Sequence, residues 1–399
     1  MQLTIDASYE PLRNEVRSFL DAKKDVAISA AVGAKDPAAV AAWQKELVDS
    51  GWVGRTIPKE YGGYGADPDL LAAIVIEEEF AEAGVSLGMA NQGISMLIPT
   101  LLQYASEEQK QSFIGPTLAA ETIWCQGYSE PGSGSDLASL QTRGVLDGDE
   151  YVINGQKIWT STAHEADMMF GLIRTEMDAG KHGGITYILL SMDTPGIEVR
   201  PLKTMTGESS FNEVFFTDVR VPRSNVVGLP GQGWEIATYL LRHERAMLGR
   251  TTQTETFLAS CVDILRETGL LDDPLYRDRL MKVQGRTIAM KYHGLRLLTD
   301  TLKKRPSGVS GLITKLNGCQ LNYDVCELAI DALNERGILK AGSRRVRDGG
   351  AWQGNYMYAL GLIIGGGTAQ IQKNIISEVG LGMPREPKIP NAAPQGGTA

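Results

Sequence analysis

The chain has little of what metals and cross-links require. Its four cysteines, Cys125, Cys261, Cys319 and Cys326, share no metal-ligand spacing, and four in 399 residues make no disulfide scaffold. They are expected to be reduced core residues. Only four histidines are present, His164, His182, His243 and His293, with no HExxH and no paired-cysteine pattern, so no metal site is expected. No apolar run reaches the roughly 18 residues that cross a bilayer. The first ten residues, MQLTIDASYE, lack the basic flank and apolar core of a signal peptide. The expectation is a cytoplasmic protein without membrane insertion. Positive charge is also short: 39 Lys and Arg face 48 Asp and Glu, a net charge of −9, which disfavours nucleic acid as a partner. The run Lys303, Lys304, Arg305 reads as a solvated helix end.

What is present is a normal globular composition, 43% aliphatic and aromatic, in a chain long enough for two or three domains. One stretch stands out, Trp124 to Asp136, WCQGYSEPGSGSD. Its three glycines, three serines and one proline disfavour both helix and strand, so it is a shaped loop. Gly132 and Gly134 let the backbone approach a ligand, and Ser129, Ser133 and Ser135 add hydroxyls beside backbone N–H groups. It is not a P-loop, because no Lys follows the last Gly, and not a dinucleotide fingerprint, because position 137 is Leu. A plain linker remains open on composition. Against it, a helical pattern runs before the loop and a strand pattern after it.

Residues 9 to 115 are helical by pattern. Leu12, Val16, Phe19 and Leu20 share a face, Asp36-Pro37 starts a helix with Trp43 and Leu47, and Ser106 with Gln109 forms a capping box. The turn-rich segment PKEYGGYG, Pro58 to Gly65, is either a binding loop or a connection. From Trp124 to about Gly231 the period changes. Asp147-Gly148 and Asn154-Gly155 are hairpin signals, and strands are expected at 168–173, 186–191, 197–201 and 212–221. Long helical patterns return at about 234–268, 273–303, 308–335 and 351–379. The expected fold is mainly α with an inserted β domain: an N-terminal helical domain (1–120), a middle antiparallel, barrel-like β domain (121–231), a C-terminal four-helix bundle (232–387) and a flexible tail (388–399).

Two further features carry chemistry. In LLRHERAMLGR, Leu240 to Arg250, Ala237, Leu241, Glu244 and Leu248 fall on one helical stripe, placing a carboxylate on an apolar face. Desolvation there raises a carboxyl pKa and poises a general base, although an ion pair with Arg242, Arg245 or a partner from another helix fits the stripe as well. Near the C-terminus, Gly365, Gly366 and Gly367 precede Thr368 and mark a helix break or a place where bulk is excluded.

Taken together, the chain resembles the acyl-CoA dehydrogenase family over nearly its whole length. The carriers are YSEPGSGSD (128–136), INGQKIWTS (153–161) and GGGTAQIQKNIISEVGLGMPRE (365–386), in order. The resemblance implies FAD as cofactor, bound partly by a neighbouring subunit. It implies that Gln126, Tyr128, Ser129, Gly134, Ser135, Trp159 and Ser161 line the cofactor, with Ser135 near the CoA arm, and that Thr368 and Gln370 meet the flavin or its diphosphate. It also implies an electron-transfer flavoprotein as acceptor and a homotetramer or heterotetramer. One departure matters: many members carry the catalytic glutamate at the position that here is Gly366. Isovaleryl-type and steroid-degrading bacterial members place it on the helix after the β domain, before an Arg, which points to Glu244 as the base and Arg245 as a substrate-binding residue. The small residues at 365–367 suit a branched, cyclic or steroid-derived acyl group. The implied reaction is α,β-dehydrogenation of an acyl-CoA to the 2-enoyl-CoA. The alternatives are a flavin monooxygenase or oxidase on the same fold, or a non-catalytic subunit of a mixed tetramer.

Overall fold

The computed structural model describes residues 5–28, 36–247, 251–306, 308–385 and 387, with the side chains of 245–247 and 251–253 outside that set. The segment 388–399, expected to be a flexible tail, lies outside the described residues, as does Leu248.

The N-terminal part is helical: α1 (Glu10–Ala22), α2 (Pro37–Asp49), α3 (Leu70–Glu82), α4 (Ile98–Tyr104) and α5 (Glu107–Leu118). Their starts are set by capping side chains. Asp36 accepts from the N–H groups of Ala38 and Ala39, and Ser106 and Gln109 make the expected capping box at α5. Glu79 on α3 is buried because Arg13 and Arg17 on α1 each reach it at 2.6 Å. The segment 58–65 is a packed connection. Tyr61 is buried and donates its hydroxyl to Glu107 at 2.5 Å, and a Cβ at Gly63 would meet the Ile57 carbonyl oxygen at 2.1 Å.

The middle part holds β1 (Trp124–Gly127), β2 (Arg143–Asp147), β3 (Glu150–Ser161), β4 (Met168–Arg174), β5 (Ile185–Ser191), β6 (Ile197–Leu202), β7 (Phe211–Pro222) and β8 (Val226–Val227). They form one sheet in the order β6-β7-β3-β2-β4-β5-β8, antiparallel except where β1 joins β4 in parallel and where β2 meets β4 through the single pair Arg143↔Arg174. That pair is a corner between two halves. Asp147-Gly148 opens the β2–β3 hairpin as expected, with Asp147 opposite Glu150. Asn154-Gly155 does not turn the chain. It sits inside the long strand β3 at a register shift against β7, with Gly155 at φ 149° and an added Cβ only 2.7 Å from Thr142. Pairing with β7 keeps β3 running on here, and the extra residue lies on β7, where Thr217 and Asp218 together face Asn154 and Asp218 has φ 50°.

The C-terminal part begins with α6 (Gly233–Met247) and continues with α7 (Thr251–Glu267), α8 (Pro274–Leu302), α9 (Ser310–Ala332), α10 (Ala351–Ile364) and α11 (Ala369–Ile375). Helices α7, α8 and α10 all pack on α9. The pattern over 351–379 is interrupted at the glycines, as the triple Gly implied: Gly366 and Gly367 have φ of 63° and 98°, and Thr368 caps a new helix. No described helix is long and apolar enough to cross a membrane. The core that positions the site is shared. Leu97, Leu101, Ile114 and Leu118 from the N-terminal helices, Phe170, Leu172, Tyr187 and Leu189 from the sheet, and Ile236, Ala237 and Leu240 from α6 form one buried cluster. Helix α6 is thereby packed on β5 and β4. All four cysteines are buried and unpaired, and burial pushes the Cys125, Cys261 and Cys326 thiols up to about 12.

Candidate active site

The loop after β1 is built from within. Glu130 and Ser133 exchange backbone hydrogen bonds of 2.9 and 3.0 Å across Pro131-Gly132, closing a tight turn. The Ser133 hydroxyl is spent on the carbonyls of Asp136 and Leu137, at 2.9 and 3.1 Å. Of the three serines singled out in the sequence, Ser133 is therefore structural, and Ser135 is exposed. A Cβ at Gly132 or Gly134 would meet nothing within 4 Å, so the loop's glycine side is open. A cleft of about 490 Å³ lies against it, lined by Glu130, Gly132, Ser133, Gln141 and Gln156 among others.

What holds the loop down is a pair of residues not picked out in the sequence. Lys157 on β3 is fully buried and donates to Glu130 at 2.8 Å and to the Tyr128 carbonyl at 3.2 Å. Glu130 also accepts from the N–H groups of Gln141 (2.5 Å) and Thr142 (2.9 Å). Burial alone would raise the Glu130 carboxyl, but the Lys157 charge and these donors outweigh it and hold it below its ordinary range. Burial in turn pulls Lys157 down to about 8, against the pull of Glu130. A signal was available: Lys157 falls on the same side of the strand as Tyr151 and Ile153, both buried. Arg174, also buried, secures the next stretch by donating to the carbonyls of Leu140 (3.1 Å), Ala138 (2.7 Å) and Lys181 (3.2 Å).

Beside this anchor the strand presents an indole. The N–H of Ile158 donates to the Ser129 carbonyl at 2.9 Å, tying loop to strand. The next residue, Trp159, has φ 60° at a second register shift and is 59% exposed, with its ring against Phe211 at 6.2 Å. A bulky residue in left-handed backbone is a costly conformation that persists where the surroundings impose it. Ser161 follows at the strand end, half-buried.

Glu244 faces this region from α6. It is half-buried, on the side of the helix where Ala237 is fully buried and Leu241 partly so, as the stripe predicts. Gln126, in β1, donates its amide to the Glu244 carboxylate at 3.5 Å. Arg242 is exposed, and the side chain of Arg245 lies outside the described residues. The neighbouring His243 packs on Tyr239 with ring centroids 5.1 Å apart, and burial, then Arg242, lowers its pKa. The structure thus brings Gln126 to Glu244 and ties Ser129 to the residue before Trp159, while the Tyr128 ring turns into the core against Phe170 and Tyr187. Thr368 and Gln370 are elsewhere, on α11 against α9; Thr368 is its N-cap, accepting from Ile371 at 3.2 Å, and Gln370 is exposed. The turn before them is held by two more residues that sequence reasoning missed. Buried Lys315 donates to the carbonyls of Ile363 (2.9 Å) and Gly367 (2.7 Å), and Gln372 donates to that of Gly366 (3.1 Å).

A helical domain, an eight-stranded sheet and a second helical domain follow one another, with a carboxylate set on the helix after the sheet. Three family models cover the chain in the same order: the N-terminal domain of acyl-CoA dehydrogenase over residues 6–121, its middle domain over 125–219 and its C-terminal domain over 231–381. Acyl-CoA dehydrogenase IpdE1 of Mycobacterium tuberculosis is 37% identical over 351 residues, covering 87% of this chain and 89% of that protein. The human mitochondrial short-chain specific acyl-CoA dehydrogenase is 29% identical over 83% of this chain and 82% of its own. Among solved structures, a complex described as the Tcur3481-Tcur3483 steroid ACAD superposes with a TM-score of 0.81 at 31% identity, covering 97% of this chain and all of that one. The chain belongs to the acyl-CoA dehydrogenase family, and its activity is FAD-dependent dehydrogenation of an acyl-CoA.

The residues present fit that cofactor. A flat aromatic ring system needs an exposed apolar plane, which Trp159 offers, and hydrogen-bonding groups beside it, which the open loop with Ser129 and Gly134 and the Ser161 hydroxyl supply.

Proposed function

We propose that Glu244 is the general base of this dehydrogenase and that its substrate is a bulky acyl-CoA. The observation that carries the assignment is the placement of the Glu244 carboxylate, half-buried on α6 and 3.5 Å from the Gln126 amide at the mouth of the cofactor loop. The α-hydrogen of a thioester is a weak acid, so its removal requires a positioned carboxylate in a water-poor site. Glu244 takes that proton from Cα as the electrons of the C–H bond form the α,β double bond. FAD, when bound, supplies the two-electron acceptor for the hydrogen leaving Cβ. Gln126 holds the carboxylate, Trp159 and Ser161 with the backbone at Ser129 and Gly134 hold the cofactor, and Ser135, exposed at the loop's open side, meets the CoA arm. Arg245 follows the base and assists in holding the substrate.

Position 366 cannot supply the base, and with Gly365 and Gly367 beside it the turn adds no side-chain volume. That supports a branched, cyclic or polycyclic acyl group, as does the likeness to a relative described as a steroid ACAD. Thr368 and Gln370 sit on α11 packed against α9, apart from the loop and β3, which supports their meeting a cofactor held by a second subunit in a closed symmetric assembly. Reduced cofactor then passes electrons to an electron-transfer flavoprotein. The test is anaerobic mixing of the FAD-loaded protein with a panel of CoA thioesters while flavin absorbance is followed. Glu244→Gln is expected to keep folding and FAD content and to slow bleaching by roughly 10²-fold or more, the scale of a general base. An undiminished rate in that variant refutes the assignment.

A further inference from the structure

The exposed indole of Trp159 is held from both sides. Along the β3–β7 ladder Lys157 faces Val214 and Thr160 faces Asn212, so Ile158 and Trp159 together oppose the single residue Glu213. That is a bulge on β3, a device that re-aims a side chain, and its second residue is the one at φ 60°. Just before the indole, the Ile158 N–H donates to the Ser129 carbonyl of the cofactor loop at 2.9 Å. Just after it, the Thr160 carbonyl accepts at 2.9 Å from the side-chain amide of Asn212, which is fully buried. The indole ring rests edge-on against Phe211, the residue next to Asn212.

The second tie has a fixed orientation. Asn212 spends its Nδ2 on Thr160, so its Oδ1 is the atom turned toward His164, 3.1 Å from Nδ1. An amide oxygen only accepts, which makes Nδ1 the nitrogen of His164 that donates. The turn that carries His164 is pinned in its own right. It passes through Thr162 at φ 56°, whose N–H donates to the carbonyl of Ser210, the residue before β7. Three hydrogen bonds from the start of β7 and one side chain of the turn thus close a bracket around residues 160–164. Without His164 the Asn212 oxygen is left buried and unpaired, and the amide loses the contact that sets its plane.

We propose that Asn212 and His164 are positioning residues for the cofactor: together they fix the Thr160 carbonyl, and through the backbone at 159–161 they set the plane of the Trp159 indole on which a flavin lies. The proposal rests on the reading that Trp159 covers the flavin. Both residues act through that backbone.

The experiment uses the full chain, wild type and the variants His164→Ala, His164→Asn, Asn212→Asp and Trp159→Gly, each cofactor-free and loaded with FAD. The readouts are FAD affinity by fluorescence titration, the visible circular dichroism of the bound flavin, and the melting temperature of the cofactor-free protein. His164→Ala is expected to weaken FAD about 3- to 10-fold, the scale of one hydrogen bond, and to change the flavin dichroism. His164→Asn keeps an N–H donor where Nδ1 stood and is expected to restore both to within twofold. Asn212→Asp keeps the acceptor toward His164 but loses the donor to Thr160, and is expected to show the larger loss; should it not fold, the His164 pair decides alone. In the Trp159→Gly background His164→Ala should weaken FAD no further, because no indole is left to aim. Wild-type affinity and dichroism in His164→Ala would overturn the proposal, as would equal deficits in His164→Ala and His164→Asn, or a lowered melting temperature with the flavin signals untouched. Trp159→Gly separates the two readings. If it binds FAD as wild type does, the indole is no part of the cofactor site and that reading fails first; if it binds weakly while the His164 and Asn212 variants are normal, only the positioning pair fails.

Discussion

Lys157→Met is the sharpest test of how the cofactor loop is held. The substitution keeps the length and apolar stem of the side chain and deletes only the ammonium. It removes the 2.8 Å contact to Glu130 and the 3.2 Å bond to the Tyr128 carbonyl. Breaking a buried pair by deleting one partner costs about 3–5 kcal/mol, because the other charge is left uncompensated. Glu130 would still keep the N–H groups of Gln141 and Thr142, and each hydrogen bond to a charged group is worth about 1.5–3 kcal/mol, so the lower end, about 3 kcal/mol, is expected. For a cooperative unit of about 150–250 residues that lowers the melting temperature by roughly 6–12 °C. The assay is thermal unfolding of the FAD-loaded protein together with cofactor affinity, which should fall because Tyr128 and the loop after it lose their anchor. In Glu130→Gln/Lys157→Met no charge is stranded, and part of the loss should return. A base titration cannot replace the mutant. With a folded value of about 8 against 10.5 for an ordinary lysine, the unfolded chain keeps the proton longer, so raising the pH between those values does not destabilise the fold through Lys157. A Lys157→Met protein that melts within a degree of wild type and binds FAD equally well would refute the anchoring role.

On the acid side, Glu79 and Glu130 are both held below the ordinary 4.5, Glu79 by Arg17 and Arg13 against its burial and Glu130 by Lys157 against its own. Their stabilisation is complete above 4.5 and lost as pH falls through the folded values, so the melting temperature should be level from about pH 7 to 5 and drop below about 4.5; melts across that range check it. Trp159→Gly relieves a left-handed backbone worth about 1–2 kcal/mol at an exposed site, so unfolding of the cofactor-free protein should be unchanged or slightly later while FAD affinity, read by fluorescence titration, weakens. Gly366→Glu in the Glu244→Gln background should not restore flavin bleaching, because a glutamate at φ 63° meets the same left-handed penalty of about 1–2 kcal/mol before it can aim its carboxylate.

Legibility in the sequence followed the range of the interaction. The capping box at Ser106, the hairpin at Asp147-Gly148 and the break at Gly365–Gly367 depend on residues a few positions apart, and all three stand in the structure. Asn154-Gly155 carries the same local signal as Asp147-Gly148 and runs on inside β3, because pairing with β7, some sixty residues on, decides it. Glu244 was visible because a helix repeats its faces within one turn. Its neighbour Gln126 comes from a strand 118 positions away, and the Glu130–Lys157 pair spans 27, so no spacing rule joins them. The left-handed backbone of Trp159 has no sequence mark of its own; it follows from the second register shift between β3 and β7.

The two places where this family's base could sit differ in physical kind, and the difference explains why α6 is the better host here. The turn at 365–367 is fully committed. Lys315 and Gln372 occupy its carbonyls, Gly366 and Gly367 are left-handed, and a Cβ at Gly367 would meet the Gln372 amide nitrogen at 2.6 Å. A carboxylate there would need the turn to be rebuilt. Helix α6, by contrast, is locked into the shared core by Ile236, Ala237 and Leu240, all fully buried, and the stripe that locks it carries Glu244 one turn further on. With Glu244 as the proposed base, the carboxylate is aimed by the core itself. The same packing of α6 on β5 and β4 brings Glu244 within reach of Gln126, so the proposed base is placed by the contacts that hold the fold.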